Sequence, residues 1–258
     1  LILPIGFILL RDFFNDTIAD QDELKRLSPI PLLATIPSSK RKRITMDEPK
    51  SLLAEAFRTA RINLQYLNAD APRQVVGFTS SSSGEGKTFC ALNLSTVMAL
   101  SGKRAVLVDA DMRRPRVQET LELKDGPGLS NILIGDAALD SVIRRTDIPG
   151  LDVITAGPIP PNPLELVESP HMEEFFKQLR ARYDHVIIDA SPMGLVSEFV
   201  ILMRHIDVTL YVVRERHTHR RDLRLVNGLH ANGKLGRIDL LLNDVAKGNS
   251  SGYGYYVK

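Results

Sequence analysis

The nine residues Ser80–Thr88 read SSSSGEGKT and indicate the fold class of the whole chain. An apolar run, Val75–Thr79, precedes them, and a helix-favouring run, Phe89–Leu100, follows them. A strand, a glycine-rich loop and a helix in this order form the context of a phosphate-binding loop. Glycines let the backbone wrap around an anion, and N–H groups at the start of the helix donate to phosphate oxygens. The sequence therefore predicts a nucleotide site.

Within this loop, we expect Lys87 to reach the β- and γ-phosphates and the Thr88 hydroxyl to ligate Mg²⁺. The strict pattern G-x-x-x-x-G-K-[ST] has glycine where this chain has Ser81, a small residue that also favours turns. The alternative is a glycine- and serine-rich loop with a chance GKT. The predicted nucleotide-binding residues are Ser83, Gly84, Glu85, Gly86, Lys87, Thr88 and Phe89.

Composition limits the class of protein. A net charge of +2 over 258 residues argues against general nucleic-acid binding, and we expect no nucleic-acid partner. Hydrophobic residues make up 43% of the chain, which is enough for a sizeable core. The single cysteine, Cys90, excludes an intramolecular disulfide and is typical of a reducing cytosol.

The first ten residues, LILPIGFILL, carry no charge. As a helix they would span about 15 Å, half of a ~30 Å hydrocarbon core. We interpret residues 1–10 as the cytosolic end of a truncated transmembrane helix, because a basic cluster, Lys40–Arg43, lies downstream. An apolar segment docked on the core is the alternative. Residues 11–50 then form a juxtamembrane linker with one short strand, Pro31–Ile36.

Residues 51–246 are predicted to form the P-loop domain. From residue 75, apolar, β-branched runs alternate with helical stretches, among them Met172–Arg182 and Ser197–His205. Continuous apolar strands joined by helices predict an α/β fold with a mainly parallel, doubly wound sheet. Ligands of such sheets bind at the carboxyl ends of the strands. The predicted strands are Val75–Thr79, Ala105–Asp109, Leu151–Thr155, His185–Asp189, Val208–Val213 and Ile238–Leu242.

Three aspartates follow the predicted strands. Asp109 and Asp111 lie where the strand in VLVDADMRRP ends, and Asp189 lies where the strand in VIIDASP ends. Each alone is as typical of a turn or a helix cap as of a ligand. Together beside the GKT sequence they predict a Mg²⁺ site, with Thr88, Asp109, Asp111 and Asp189 as candidate ligands.

Two further segments carry candidate residues. Glu55, Arg58 and Arg61 recur every three residues on a predicted helix, where pairing along the helix is the ordinary interpretation.

The segment 247–258, KGNSSGYGYYVK, holds Tyr253, Tyr255 and Tyr256 and is predicted to be a flexible tail. The residues from Val245 to Tyr253 span ~25–30 Å when extended, so the tyrosines can reach a phosphate site. An aromatic tail that docks or aggregates is the alternative.

The D-x-D sequence after an apolar run resembles the Walker A′ motif of the MinD/ParA group of P-loop proteins. In that group the loop carries a signature lysine, K-G-G-x-G-K-[ST], where this chain has Ser82. That difference argues against a partitioning or cell-division ATPase.

The motifs together resemble those of the bacterial tyrosine kinases known as the BY-kinase family. SSSSGEGKT is similar to the family's Walker A motif, VLVDADMRRP to Walker A′ and VIIDASP to Walker B, where TPP or APP is commoner than ASP. The segment 156–167, AGPIPPNPLELV, resembles the family's G-x-x-P-P-N-P-x-E-L-L stretch, and Glu55, Arg58 and Arg61 match its E-x-x-R-x-x-R motif.

This resemblance implies an ATP- and Mg²⁺-dependent tyrosine autokinase that regulates exopolysaccharide or capsule synthesis and export. Lys87, Asp109 and Asp111 would be catalytic, and Tyr253, Tyr255 and Tyr256 would accept phosphate between subunits of a ring. The row Glu55, Arg58 and Arg61 would form the ring interface.

The partners implied are the polysaccharide polymerase and export machinery and a phosphotyrosine phosphatase. The N-terminal segment would anchor the chain to the inner membrane, with this domain in the cytoplasm. A MinD/ParA-like switch ATPase and a non-catalytic nucleotide-binding scaffold are the alternatives.

Overall fold

The computed structural model describes residues 16–40, 43–44, 51–67, 74–193 and 198–246. The apolar start at 1–10 and the tyrosine tail at 247–258 lie outside these ranges, as do Arg41 and Lys42 of the basic cluster. Among the helices in the described ranges, none has both the length and the apolar character needed to span a bilayer.

A sheet of eight strands forms the centre of the described part of the chain. The strands lie in the order β1-β8-β7-β2-β6-β3-β5-β4, and every neighbouring pair is parallel except β4 with β5. This topology confirms the predicted, mainly parallel sheet. The strands are β1 (Leu32–Pro37), β2 (Gln74–Ser80), β3 (Ala105–Asp109), β4 (Arg144–Arg145), β5 (Leu151–Ile154), β6 (His185–Asp189), β7 (Val208–Arg214) and β8 (Ile238–Val245).

Helices cover both faces of this sheet. Two of them begin with a proline, Pro163 and Pro170, at a position where the missing N–H has no intrahelical partner to lose. A short 3₁₀ helix, Met203–His205, extends the last turn of α9. The α-helices are α1 (Gln21–Leu27), α2 (Leu52–Leu67), α3 (Lys87–Leu100), α4 (Val117–Thr120), α5 (Leu129–Leu133), α6 (Leu139–Val142), α7 (Pro163–Glu168), α8 (Pro170–Arg182), α9 (Glu198–Leu202) and α10 (Arg220–Ala231).

Side chains alternate between the two faces along each central strand. On β3, Leu107 packs in the core beneath α2 and α3, whereas Val106 and Val108 pack in the core beneath α5 and α8. Every residue of β2, β3 and β6 is buried, because helices lie on both sides of these strands. Burial on both faces explains why the strands appear in the sequence as continuous apolar runs.

Part of the predicted linker belongs to the sheet. β1 pairs with β8, and its residues Leu33 and Ile36 are buried in the core with α2 and α3. The sheet therefore begins before residue 51. β1 lies at the edge, where Pro37 can end a strand without leaving a neighbour unpaired.

Candidate active site

The glycine-rich loop, residues 81–86, joins the end of β2 to the start of α3. Gly84 and Gly86 have φ angles of 89° and 96°, in the left-handed region that favours glycine. A Cβ atom on Gly86 would also lie 2.1 Å from Nδ2 of Asn243. α3 begins at Lys87, so its first N–H groups, which lack intrahelical partners, lie beside the loop. The local geometry is that of the predicted phosphate-binding loop.

The carboxylate of Glu85 holds this loop from inside the protein. The side chain is fully buried, and its Oε1 accepts hydrogen bonds from Oγ of Ser81 at 2.6 Å and Oγ1 of Thr218 at 2.5 Å. Its Oε2 accepts from the N–H of Ser82 at 2.8 Å. Glu85 was predicted as a nucleotide-binding residue, but its side chain contacts the protein. Its backbone N–H is therefore the group that can contact a nucleotide. No local sequence pattern indicates the contact with Thr218, which lies 133 residues away.

Two side chains from the ends of β7 and β8 bind the loop's carbonyl groups. Nδ2 of Asn243 donates to the carbonyl of Glu85 at 2.9 Å, and Nη1 of Arg214 donates to the carbonyl of Gly84 at 2.9 Å. Arg214 is itself held by Asp244, which accepts from Nε and Nη2 at 3.0 and 2.9 Å. Sequence reasoning missed Asn243 and Arg214, although both follow apolar strands that were predicted.

Thr88 and Asp189 meet at the carboxyl edge of the sheet. Oγ1 of Thr88 donates to Oδ2 of Asp189 at 2.5 Å. Oδ1 of Asp189 is buried and has no hydrogen-bond partner within the described residues. Burial raises the pKa of Asp189 to about 6, although the Thr88 hydrogen bond and the Lys87 ammonium lower it. An unpartnered, buried carboxylate oxygen beside a threonine hydroxyl fits a hard cation such as Mg²⁺.

Asp109 is fully buried and stands opposite Asp189 in the pairing of β3 with β6. Its Oδ1 accepts from the N–H of Asp111 at 3.2 Å, and its Oδ2 accepts from the N–H groups of Arg116 and Val117, each at 3.0 Å. Burial and then the charge of Asp189 raise the pKa of Asp109 well above its ordinary value. This carboxyl holds the loop after β3 and the start of α4 in place.

Asp111 is half-buried and reaches the site from the loop after β3. Its Oδ1 accepts from Oγ of Ser191 at 2.9 Å and from the N–H of Arg114 at 3.1 Å. Neither contact, nor any other among the described residues, occupies Oδ2. Ser191 is a site residue that the sequence analysis passed over, although it follows Asp189 by two positions in the ASP sequence noted as unusual.

Two cavities open around these residues, and Ser83, Asp111 and Arg114 line both of them. The first has a volume of ≈ 390 Å³. It is lined by six of the seven predicted nucleotide-binding residues, Ser83, Gly84, Gly86, Lys87, Thr88 and Phe89. The second cavity has a volume of ≈ 490 Å³ and is lined, besides the shared residues, by Ser191.

The carboxylates do not make a complete metal site by themselves. Within the described ranges, no group of three or more His, Cys, Asp and Glu side chains is arranged to hold a metal ion. Since Mg²⁺ usually keeps waters and phosphate oxygens as ligands, one carboxylate and one hydroxyl are a sufficient protein contribution.

The row on α2 forms contacts along the helix. Arg58 donates to the Glu55 carboxylate one turn away, and Nη1 of Arg61 donates to Oε1 of Gln65 at 3.4 Å. These contacts match the ordinary interpretation of such a row. An interface between subunits remains a prediction for Glu55, Arg58 and Arg61.

Residues 73–214 match the family model described as an AAA domain, which covers more than half of the chain. The chain is also 35% identical over 213 residues to the tyrosine-protein kinase YwqD of Bacillus subtilis (strain 168). That alignment covers 83% of this chain and 90% of YwqD. Several other curated relatives are longer proteins, of which the chain spans 31% to 35%.

Solved structures extend the comparison to the fold. The kinase domain of the Escherichia coli tyrosine kinase ETK superposes with a TM-score of 0.78 at 30% identity, over 88% of this chain and 95% of that domain. The septum site-determining protein MinD of Pyrococcus horikoshii OT3 superposes with a TM-score of 0.55 at 23% identity, over 66% of this chain and 70% of that one. The second likeness shows a shared fold, and the two structures together confirm the predicted fold class.

Proposed function

The chain belongs to the bacterial tyrosine-protein kinases, and from that premise we propose that it transfers the γ-phosphoryl group of ATP to tyrosines of its own kind. The chief acceptors are Tyr253, Tyr255 and Tyr256 of a neighbouring copy. The observation that carries this proposal is the junction of the two cavities at Asp111. A phosphoryl-transfer enzyme needs a donor site and an acceptor site that share the reacting centre, and two cavities that share Asp111 support such an arrangement.

The donor site binds the triphosphate through the glycine-rich loop. The backbone N–H groups of residues 83–88 and the ammonium group of Lys87 neutralise the charge that spreads over the transferring phosphoryl oxygens. Glu85, Asn243 and Arg214 act as positioning residues, because they hold the carbonyl side of the loop against the protein. The N–H side of the loop is thereby kept towards the nucleotide.

Thr88 and Asp189 are the residues that would hold Mg²⁺, directly or through water, with Asp111 nearby. When bound, the ion supplies positive charge to the β- and γ-phosphate oxygens. Asp109 has a supporting role in this proposal rather than the predicted role of ligand or base. Its oxygens already accept three backbone hydrogen bonds, and they fix the loop that carries Asp111.

The transfer itself is an in-line displacement. The tyrosine phenol oxygen forms a bond to the γ-phosphorus as the bond to the β–γ bridging oxygen breaks, and ADP leaves with that electron pair. The phenol proton passes to Asp111 and then to water. Because a carboxylate is in general a weak base for a phenol, orientation of the hydroxyl is the larger contribution of Asp111.

The proposal extends to assembly and location, for which membership of the family is the support. Copies of the chain associate as a ring through Glu55, Arg58 and Arg61, and the segment 1–10 anchors the protein to the bacterial inner membrane with this domain in the cytoplasm. The kinase then regulates a polysaccharide polymerase and export machinery for capsule or exopolysaccharide, and a phosphotyrosine phosphatase reverses its reaction. The chain spans about a third of several curated relatives and 90% of YwqD.

The experiment that tests the function is incubation with Mg-ATP followed by mapping of phosphotyrosine by peptide mass spectrometry. Phosphate on Tyr253, Tyr255 or Tyr256, and its absence in a Lys87→Met variant, is the expected result. ATP loss without phosphotyrosine would contradict the acceptor and favour a switch ATPase. ATP binding without ATP loss and without phosphotyrosine would contradict the kinase activity and favour a non-catalytic nucleotide-binding scaffold.

A further inference from the structure

The second cavity has an apolar wall and a charged rim. Ile159, Pro160 and Pro161 from the loop before α7 line it, together with Pro163 at the start of α7 and Pro192 after β6. Ile159 is 64% exposed, an unusual position for a large aliphatic side chain. Flat proline rings beside an exposed isoleucine fit an aromatic ring, and Asp111 lies at the junction with the donor site. The cavity thus suits the phenol ring of an acceptor tyrosine.

Arg113 lines this cavity, and a buried carboxylate holds its guanidinium group. Its Nε donates to Oε1 of Glu198 at 2.8 Å, and the Glu198 side chain is 4% exposed while that of Arg113 is 52% exposed. Neither terminal nitrogen of Arg113 has a hydrogen-bond partner among the described residues. A buried carboxylate therefore fixes the guanidinium group and leaves its two outer nitrogens for an anion, the arrangement that suits a phosphate.

The acceptor segment brings no anion of its own. Between residues 247 and 258 the sequence has no aspartate or glutamate side chain. The anion that this segment acquires is the phosphate that the enzyme adds, of about −1.5 to −2 charges at pH 7. An arginine in the acceptor cavity is thus matched to the product of an earlier transfer rather than to the unmodified tail.

The spacing of Asp111 and Arg113 along the chain matches the spacing of Tyr253 and Tyr255. Asp111 and Arg113 are two positions apart, which limits their Cα separation to about 7 Å. Tyr253 and Tyr255 are also two positions apart, and in an extended segment such side chains lie on the same face, about 7 Å from each other. Tyr256 would point to the opposite face.

We propose that Arg113 binds a phosphotyrosine of the acceptor segment while Asp111 receives the next tyrosine. Phosphate on one member of the pair Tyr253 and Tyr255 then favours transfer to the other. This inference rests on the proposed function, since it assumes that the tail is the acceptor. Glu198 is the positioning residue for Arg113.

The test uses the 258-residue chain with Tyr253→Phe, Tyr255→Phe and Tyr256→Phe as the parent enzyme, so that added peptides are the tail acceptors. Three peptides of residues 247–258 retain Tyr253 as acceptor. The first has Tyr255→Phe and Tyr256→Phe, the second has phosphotyrosine at 255 and Tyr256→Phe, and the third has phosphotyrosine at 256 and Tyr255→Phe. The measurement is kcat/KM for phosphate on Tyr253.

We expect the second peptide to exceed the first about tenfold in kcat/KM, the effect of one charge-assisted contact to phosphate, and the third to stay near the first. In an Arg113→Gln variant the ratio of second to first should fall to about one. Arg113→Lys, which keeps the charge but not the planar fork, should retain part of the ratio. Because the readout is a ratio between peptides, a general loss of activity does not imitate this result.

Arg145→Gln is the matched control, since it removes the same charge from an exposed position on β4 and should keep the parent ratio. Equal rates on the first and second peptides, or a ratio that survives Arg113→Gln, would overturn the role of Arg113 with the tail still an acceptor. No phosphate on any peptide, with ATP still bound, would overturn the proposed acceptor and this inference with it.

Discussion

At the scale of single residues, Gly86 shows how tightly the loop is tied to its surroundings. We expect Gly86→Ala to lose nucleotide binding, because the left-handed φ and the 2.1 Å approach to Asn243 both oppose a Cβ atom. Gly102→Ala is the matched control: its φ is 82°, but nothing lies within 4 Å of the added atom. The control should lose about 1–2 kcal/mol of unfolding free energy from the backbone alone and still bind nucleotide. Calorimetry and thermal unfolding measure both, and equal nucleotide affinity in the two variants would contradict this account.

Thr218 offers a second test at this scale. It donates to Glu85 and accepts from the N–H of Arg214 at 2.9 Å, so Thr218→Val leaves two buried polar groups short of a partner. We expect a loss of about 1–3 kcal/mol in the free energy of unfolding and a higher KM for ATP. Thr120→Val, at a half-buried position on α4 where the hydroxyl donates to the carbonyl of Arg116, serves as the comparison for stability. If Thr218→Val unfolds and binds ATP as the unmodified chain does, Glu85 does not depend on this contact.

Whether a site residue could be predicted depends on how far away its partner lies in the sequence. Lys87, Thr88 and Asp189 could be predicted because each belongs to a short motif or follows an apolar strand. The donors to the loop could not: Thr218 and Asn243 reach Glu85 from 133 and 158 positions away. Nothing local in the sequence records such contacts, which arise when parallel strands bring their carboxyl ends to one edge.

At the scale of elements, strands were predictable where both faces are buried and harder to predict at the edges. β3 and β6 have the predicted limits, Ala105–Asp109 and His185–Asp189. β4 consists of two arginines paired antiparallel to β5, and so short a charged segment has no periodicity to detect. β1 was predicted as a strand within a linker, because prolines surround it and mask its pairing with β8.

Helix α2 carries Glu55, Arg58 and Arg61, which are predicted to form a subunit interface. A substitution at Arg58 separates their effect on the stability of the monomer from their effect on assembly. Arg58→Glu should cost the monomer less than about 1 kcal/mol, because its partner Glu55 lies on the exposed face. If the row forms a subunit interface, the same change should abolish association in sedimentation velocity. Arg182→Glu breaks the surface contact with Asp140 and should leave association unchanged. An Arg58→Glu chain that still assembles would contradict the interface.

At the scale of the whole molecule, transfer between copies can be tested with two inactive variants. The Lys87→Met chain has an intact tail but no transfer activity, and the chain with Tyr253→Phe, Tyr255→Phe and Tyr256→Phe has activity but no tail acceptors. Each alone should stay free of tail phosphotyrosine, and their mixture should phosphorylate the Lys87→Met chain at a rate that rises with concentration. If the mixture forms no tail phosphotyrosine while the unmodified chain does, transfer occurs within one copy.

Phosphorylation should also act on the assembly. Each phosphotyrosine adds about −1.5 to −2 charges at pH 7, and repulsion between tails should weaken docking and the ring. We expect sedimentation to show smaller species after incubation with Mg-ATP, with Lys87→Met unchanged. A ring that persists when fully phosphorylated would exclude this form of regulation.

The contact between Asn243 and the loop has a mechanical consequence. Asn243 lies near the end of β8, four positions before residue 247, and its amide is bonded to the carbonyl of Glu85. The N–H of Ala246 donates to Oε2 of Glu215 at 2.6 Å, which secures the chain where the tail departs. Tension on segment 247–258 would therefore reach Glu215 first, then the pairing of β8 with β1 at Val245, and then Asn243. Because Asn243 is bonded to Glu85, the same tension would act on the phosphate-binding loop, so that a force from a bound partner could change the affinity for nucleotide.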